Sequence, residues 1–210
     1  MINNKAVLPV FGIDRHRLCS DGAGVTTLVG AYGCPLQCKY CLNPHAWDPK
    51  TLEKTKYLTP EELYEKVRID HLYFLATGGG IVFGGGEGLL HADFFKEFRK
   101  VCGRDWRLTV ETSLNVRRTQ VEKSIDVIDD YIIDIKDMNP QIYETYTGKS
   151  NEHVLENLKI LLENKPVENL LVRVPLIPDY NTKEDVEKSV SCLKSMGVTQ
   201  IEEFNYIVKK

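Results

Sequence analysis

Short β-branched or apolar runs alternate with amphipathic stretches six times along this chain of 210 residues. That alternation limits the fold more than any other feature, because it dictates strands joined by helical crossovers. The runs at 25–30, 81–83, 108–111, 131–135, 170–176 and 201–206 read as strands. Between the first two, Thr59-Pro60-Glu61-Glu62 is a helix start: Thr59 as cap, Pro60 at the first helical position, Glu62 three residues after the cap. Apolar residues continue to Leu75, and Gly78-Gly79-Gly80 breaks the pattern. Residues 91–101 are amphipathic, with Phe94, Phe95 and Phe98, and 116–128 reads as helical. Asn151 caps a helix whose Val154, Leu155, Leu158, Leu161 and Leu162 share one face. Thr182 caps the last helix and Gly197 ends it. Six strands so separated predict an α/β fold with a parallel six-stranded sheet and right-handed crossovers. An open doubly wound sheet and a partial barrel share this string, and periodicity does not choose between them.

No linker, repeat or low-complexity segment interrupts the pattern, so residues 1–210 read as one domain. Hydrophobic content of 42% and charged content of 27% are those of a soluble globular chain. A net charge of -3 argues against a surface built for nucleic acid. No apolar run approaches the roughly 20 residues of a membrane span, so no membrane association is expected. Met1-Ile2-Asn3-Asn4-Lys5 lacks the basic segment and apolar core of a signal peptide. The expected location is the cytoplasm, where thiols stay reduced and free for metal.

Cys34, Cys38 and Cys41 fall on one short loop just after the first strand, spaced Cys-x3-Cys-x2-Cys. Three such thiolates can hold three irons of a [4Fe-4S] cluster and leave the fourth open, whereas electron-transfer clusters use four cysteines. Zinc is the alternative, with a fourth ligand from His45, Cys19 or a distant residue, but no second Cys-x2-Cys pair exists. Cys102 and Cys192 lie in helix-like stretches and read as small core residues. Cys19, beside a Ser-Asp-Gly turn, carries no such simple reading.

The other unusual residues also sit at strand ends, where parallel α/β folds place their sites. Gly84-Gly85-Gly86-Glu87 follows the second strand, and its glycines let the backbone approach a ligand. Glu111-Thr112-Ser113 ends the third strand and Asp134-Ile135-Lys136 the fourth. A carboxylate closing an apolar strand needs a partner, either Lys136 or a ligand. Arg173 puts a charge in mid-strand, so it faces a polar interior or a sheet edge.

Taken with Ser20-Asp21-Gly22-Ala23-Gly24, Leu42-Asn43-Pro44, Trp47-Asp48, Tyr146-Thr147-Gly148 and Pro175-Leu176-Ile177-Pro178, these motifs give the chain a family likeness. It resembles the radical S-adenosylmethionine (SAM) enzymes, and among them the glycyl-radical-enzyme activating enzymes of the pyruvate formate-lyase type. The resemblance spans roughly residues 12–206. It implies a partial (β/α)6 barrel and a [4Fe-4S] cluster on Cys34, Cys38 and Cys41. It implies that Gly85, Gly86 and Glu87 bind the amino group of SAM, and that the Tyr40 backbone meets adenine. Ser113, Asp134, Lys136 and Arg173 become further cofactor contacts, with Arg173 able to grip the SAM carboxylate. Glu111 and Asp134 become candidates for a monovalent cation site. The implied reaction is reductive cleavage of SAM to a 5′-deoxyadenosyl radical, which takes hydrogen from a glycine of a partner enzyme. The implied electron source is a one-electron donor such as flavodoxin or ferredoxin. The Asp21 turn and the loop near Trp47 become candidates for the rim that meets the partner. Four departures are visible: Gly88 where the family has Pro, Glu111-Thr112-Ser113-Leu114 in place of an Asp-Thr-Asn-Gly type run, and Leu42 and Ile207 where the family has His. They leave open a small molecule or peptide as substrate, an anaerobic ribonucleotide reductase as target, and a non-catalytic zinc or Fe–S binding module.

Overall fold

The computed structural model describes residues 6–18 and 20–208. Among the described residues the chain forms eight strands and eight α-helices. In order these are β1 (Leu8–Leu18), β2 (Val25–Ala31), α1 (Pro49–Leu52), β3 (Lys56–Leu58), α2 (Pro60–Val67), α3 (His71–Thr77), β4 (Gly80–Gly85) and α4 (Ala92–Cys102). There follow β5 (Arg107–Thr112), α5 (Arg118–Ser124), β6 (Asp130–Asp134), α6 (Pro140–Thr147), α7 (Glu152–Asn164), β7 (Leu170–Leu176), α8 (Lys183–Ser195) and β8 (Gln200–Asn205).

The sheet order is β3-β1-β2-β4-β5-β6-β7-β8. The six strands read from the sequence are β2 and β4 to β8, each parallel to the next. They lie side by side in chain order, with no reversal. A doubly wound sheet needs such a reversal, so the order selects the partial barrel. The sheet does not close. The expected six-stranded sheet is enlarged to eight by β1 and β3, which pair antiparallel beside β2. These two escaped the sequence reading for a physical reason. β1 ends in the polar run Asp14-Arg15-His16-Arg17, and β3 is only three residues long, so neither shows a sustained apolar period.

Side-chain alternation separates two environments. On β5, Leu108 and Val110 point outward into the core beneath the helices, while Glu111 lines the concave face. On β4, Phe83 packs among Phe94, Phe95 and Phe98 of α4, with ring centroids 6.3, 4.6 and 5.7 Å away. Each buried ring contributes about 1.5–3 kcal/mol by area, so the outer layer carries the stability and the concave face is free to be polar.

Local signals behave as their chemistry dictates. Thr59 and Glu62 form a reciprocal capping box on α2, and Thr182 and Asp185 form another on α8. Asn151 stands at the cap position of α7 without a side-chain cap, because its Nδ2 donates to the Met138 carbonyl at 3.1 Å. The helix expected over 116–128 is shorter, Arg118–Ser124, and the chain turns before β6. Cys102 is buried as expected, but Cys192 is exposed, on the solvent side of α8. Cys19 lies outside the described residues. No helix among the described residues is long and apolar enough to cross a membrane.

Candidate active site at the open end of the sheet

The strand ends of the parallel sheet surround a cavity of about 600 Å³, within the roughly 300–1,000 Å³ range of small-molecule sites. Its lining brings together Cys34, Cys38 and Cys41, the glycines Gly85 and Gly86, and Glu87, Ser113, Asp134, Lys136 and Arg173. Tyr40 is the one expected site residue that does not line it.

The cysteine loop is fastened at both ends by backbone hydrogen bonds. Gly33 N–H donates to the Ala46 carbonyl at 2.7 Å, while Gln37 and Lys39 donate to Thr147 and Tyr146 at 3.1 and 3.2 Å. The Gly-Gly-Glu loop is tied to the same segment: Gly86 N–H donates to Ala31 at 3.1 Å and Glu87 N–H to Gly33 at 2.8 Å. A Cβ at position 86 would collide with the Ala31 and Gly33 carbonyls, so only glycine permits this approach. Gly85 has φ +84°, where L side chains are strained.

Glu87 is 1% exposed, and four protein donors fill its carboxylate. Oε1 accepts from Thr112 Oγ1 at 2.6 Å and Leu89 N at 3.1 Å. Oε2 accepts from Ser113 N at 2.8 Å and Ser113 Oγ at 2.6 Å. Burial still pushes its carboxyl upward against those donors. The Tyr40 ring is likewise occupied. It lies edge-on to Tyr180 and Tyr146, at 5.5 and 6.4 Å, and its Oη donates to Asp179 at 2.9 Å. The Tyr40 carbonyl accepts from Tyr206 Oη at 2.8 Å, which fastens the chain after β8 to the cysteine loop.

Charge is paired across the cavity. Arg173 reaches Glu111 at 3.4 Å and Glu202 at 3.0 Å, and donates to the Ser20 carbonyl at 2.6 Å. Lys136 lies 3.3 Å from Asp134. Burial works against the Lys136 ammonium, yet Asp134, Cys38 and Tyr206 together hold it above the usual lysine range. For Glu111, burial and then Asp134 and Asp21 push the carboxyl up to about 7, against Arg173 and Arg17. Asp21, expected at the rim, is 3% exposed inside the cavity and ion-paired to Arg17. Trp47 lies outside the cavity, although Leu42 and Asn43 line it.

The three cysteines suit a cluster better than a single ion. Among the described residues no three Cys, His, Asp or Glu side chains form a group able to hold one metal ion. Burial first, then Glu87 and the other two thiols, push the Cys34 thiol up to about 12. Three crowded thiols of this kind ionise only against a polynuclear positive charge. Sequence reasoning missed Thr112, although it stands inside a motif already singled out, and it missed the latch made by Tyr206.

Comparison with known proteins agrees with this geometry. The radical SAM superfamily profile matches residues 28–193. The pyruvate formate-lyase-activating enzyme of Clostridium pasteurianum is 32% identical over 188 residues, covering 89% of this chain and 77% of that one. The pyruvate formate-lyase 1-activating enzyme of Escherichia coli is 31% identical over 168 residues, covering 79% and 66%. The chain therefore spans about two thirds to three quarters of the length of these relatives. The crystal structure of Streptococcus suis SuiB bound to its precursor peptide SuiA superposes with TM-score 0.64 at 14% identity, covering 85% of this chain and 40% of that one, a likeness of fold. The chain belongs to the radical SAM superfamily. Within that class, its relatives of known activity are activating enzymes of the pyruvate formate-lyase type.

Proposed function

We propose that this protein is an activating enzyme that installs a glycyl radical on a partner enzyme. The observation that carries the reading is one cavity holding three loop cysteines beside a glycine backbone and two buried cations. Cys34, Cys38 and Cys41 would hold a [4Fe-4S] cluster with one iron open to SAM. When bound, cluster and SAM supply the chemistry: one electron cleaves the sulfonium to methionine and a 5′-deoxyadenosyl radical, which becomes 5′-deoxyadenosine on taking hydrogen from a glycine Cα.

The chain's own residues position and shield. The backbone of Gly85 and Gly86 offers polar groups to the SAM amino nitrogen. Lys136 and Arg173 offer cations for its carboxylate, a charge-assisted contact worth about 1.5–3 kcal/mol. Glu87, filled by its four donors, holds the glycine motif against Ser113. Tyr206 fixes the Tyr40 peptide between two cluster ligands. A monovalent cation between Glu111 and Asp134 is part of the proposal. It is supported by the repulsion left between them even with Arg173 and Lys136 in place, which keeps Glu111 near 7. The setting is the cytoplasm, with an electron-carrier protein as reductant.

Anaerobic mixing with SAM, reductant and candidate glycyl radical enzymes from the same cell tests the reading by electron paramagnetic resonance. A doublet on the partner is the expected result. Absence of a doublet with every candidate, together with a metabolite or peptide that stimulates SAM cleavage, transfers the function to a small-molecule or peptide substrate.

A further inference from the structure

The proposed chemistry consumes one electron per SAM, and the cavity mouth is where the target must lie. An electron donor that used the same mouth would compete with the substrate. The fold offers a second approach behind the cysteine loop. The short helical turn at Pro44–Ala46 leads into Trp47, α1 and β3. Ala46 accepts the 2.7 Å hydrogen bond from Gly33, the residue before Cys34. The outer surface of this segment is thus one hydrogen bond from the chain that carries the first cluster ligand.

That surface has the composition of a docking face. Trp47, Leu52 and Tyr57 are 38%, 40% and 57% exposed within eleven residues. Lys50, Lys54 and Lys56 stand exposed among them. Among the described residues none of these three lysines forms an ion pair, while Arg68, Lys100 and Lys123 elsewhere on the surface do. The acids of the segment are Asp48 and Glu53, and the Asp48 carboxylate is turned inward to accept the Lys50 N–H at 3.0 Å as the cap of α1. A chain of net charge -3 therefore places three unpaired cations and three apolar side chains over the back of its cluster loop. Apolar centres with charged rims are how transient partners steer and seat one another.

We propose that this face, Trp47 to Tyr57, docks the reductant, a small one-electron carrier protein with an acidic face around its redox centre. One electron leaves the carrier, which is oxidised by one electron, and enters the cluster, which is reduced by one. No atom is transferred, so no open channel is needed, and the carrier and the glycyl partner can be bound together. The inference rests on the proposed function and adds to it a location and a charge for the donor.

The test uses the reconstituted protein, an acidic flavodoxin as probe, and dithionite as a reductant that needs no docking. The variant carries Lys50→Glu, Lys54→Glu and Lys56→Glu together, with Trp47→Ser as a separate variant. Iron content and dithionite-driven SAM cleavage are expected to match wild type, because none of these residues lines the cavity. Cluster reduction by flavodoxin, followed by absorbance, is expected to slow about tenfold or more in the triple variant. The deficit should shrink in about 0.5 M salt, where screening removes the steering. Trp47→Ser should weaken flavodoxin binding without changing the salt dependence. Equal flavodoxin rates in wild type and the triple variant would overturn the docking face while leaving the enzyme reading intact. A protein that takes up no iron overturns both, and dithionite separates the two failures.

Discussion

Removing the Glu87 carboxylate distinguishes two roles for the most buried acid of the site. The structure makes it a strut: two oxygens accept four hydrogen bonds, from Thr112 Oγ1, Leu89 N, Ser113 N and Ser113 Oγ, at 2.6–3.1 Å. Glu87→Ala leaves all four donors buried without partners and opens a small void. Breaking a buried charged network from one side costs about 3–5 kcal/mol. For a domain of this size each kcal/mol lowers Tm by about 2–4 °C, so the drop should be about 6–20 °C. Ser113→Ala removes one of the four bonds and should cost about 1–2 kcal/mol. The assay is thermal unfolding of the protein without SAM, paired with SAM affinity of the reconstituted enzyme. A strut predicts that stability and affinity fall together and in the same order, Glu87→Ala beyond Ser113→Ala. If Glu87→Ala melts within about 2 °C of wild type yet loses SAM affinity more than about tenfold, the carboxylate is a ligand contact and the strut argument is wrong.

Replacing any one of Cys34, Cys38 and Cys41 by Ala should abolish the brown chromophore and SAM cleavage; one tight zinc and no iron after anaerobic reconstitution would refute the cluster. Glu111, held up to about 7, should make stability fall as pH rises from its unfolded value near 4.5 through 7, because the folded state keeps the proton longer. Partial exposure trims this to about 1–3 kcal/mol, and Glu111→Gln should flatten that stretch of a pH–stability curve; an unchanged slope refutes the assignment. Exchanging potassium for a bulky organic cation should slow SAM cleavage if Glu111 and Asp134 seat a cation, and an unchanged rate removes that cation. Arg99 is buried and spans the carbonyls of Val127, Gly103 and Trp106 and the carboxylate of Asp129. Arg99→Ala should therefore cost about 3–5 kcal/mol, and chemical denaturation that shows less than about 1 kcal/mol would refute its bridging role.

Local chemistry was legible in the sequence where a residue's neighbours in the chain are also its partners in space. The Thr59–Glu62 and Thr182–Asp185 boxes, the six parallel strands and the Cys34–Cys41 loop all span a few residues, and periodicity or spacing exposes them. Glu111 and Asp134 were marked because a carboxylate at the end of an apolar strand needs a partner. Their partners were not all legible: Lys136 is two residues from Asp134, but Arg173 is 62 residues from Glu111. The same distance in sequence hid the Tyr206 latch on Tyr40, and an exposed Cys192 passed for a core residue because its helix face depends on where the sheet lies.

The amino-acid order by itself thus determined the alternation of elements, the helix caps and the cysteine spacing, since each is set by sterics and hydrogen bonds within one or two turns of chain. Only the tertiary structure decided between a barrel and a doubly wound sheet, because that choice lies in the order of strands side by side and not in the strands themselves. It also decided that Glu87 is filled from within, that Arg173 spans the opening from Glu111 to Ser20, and that two antiparallel strands widen the sheet. Those features depend on side chains brought together across many residues of intervening chain, where no local period records the contact.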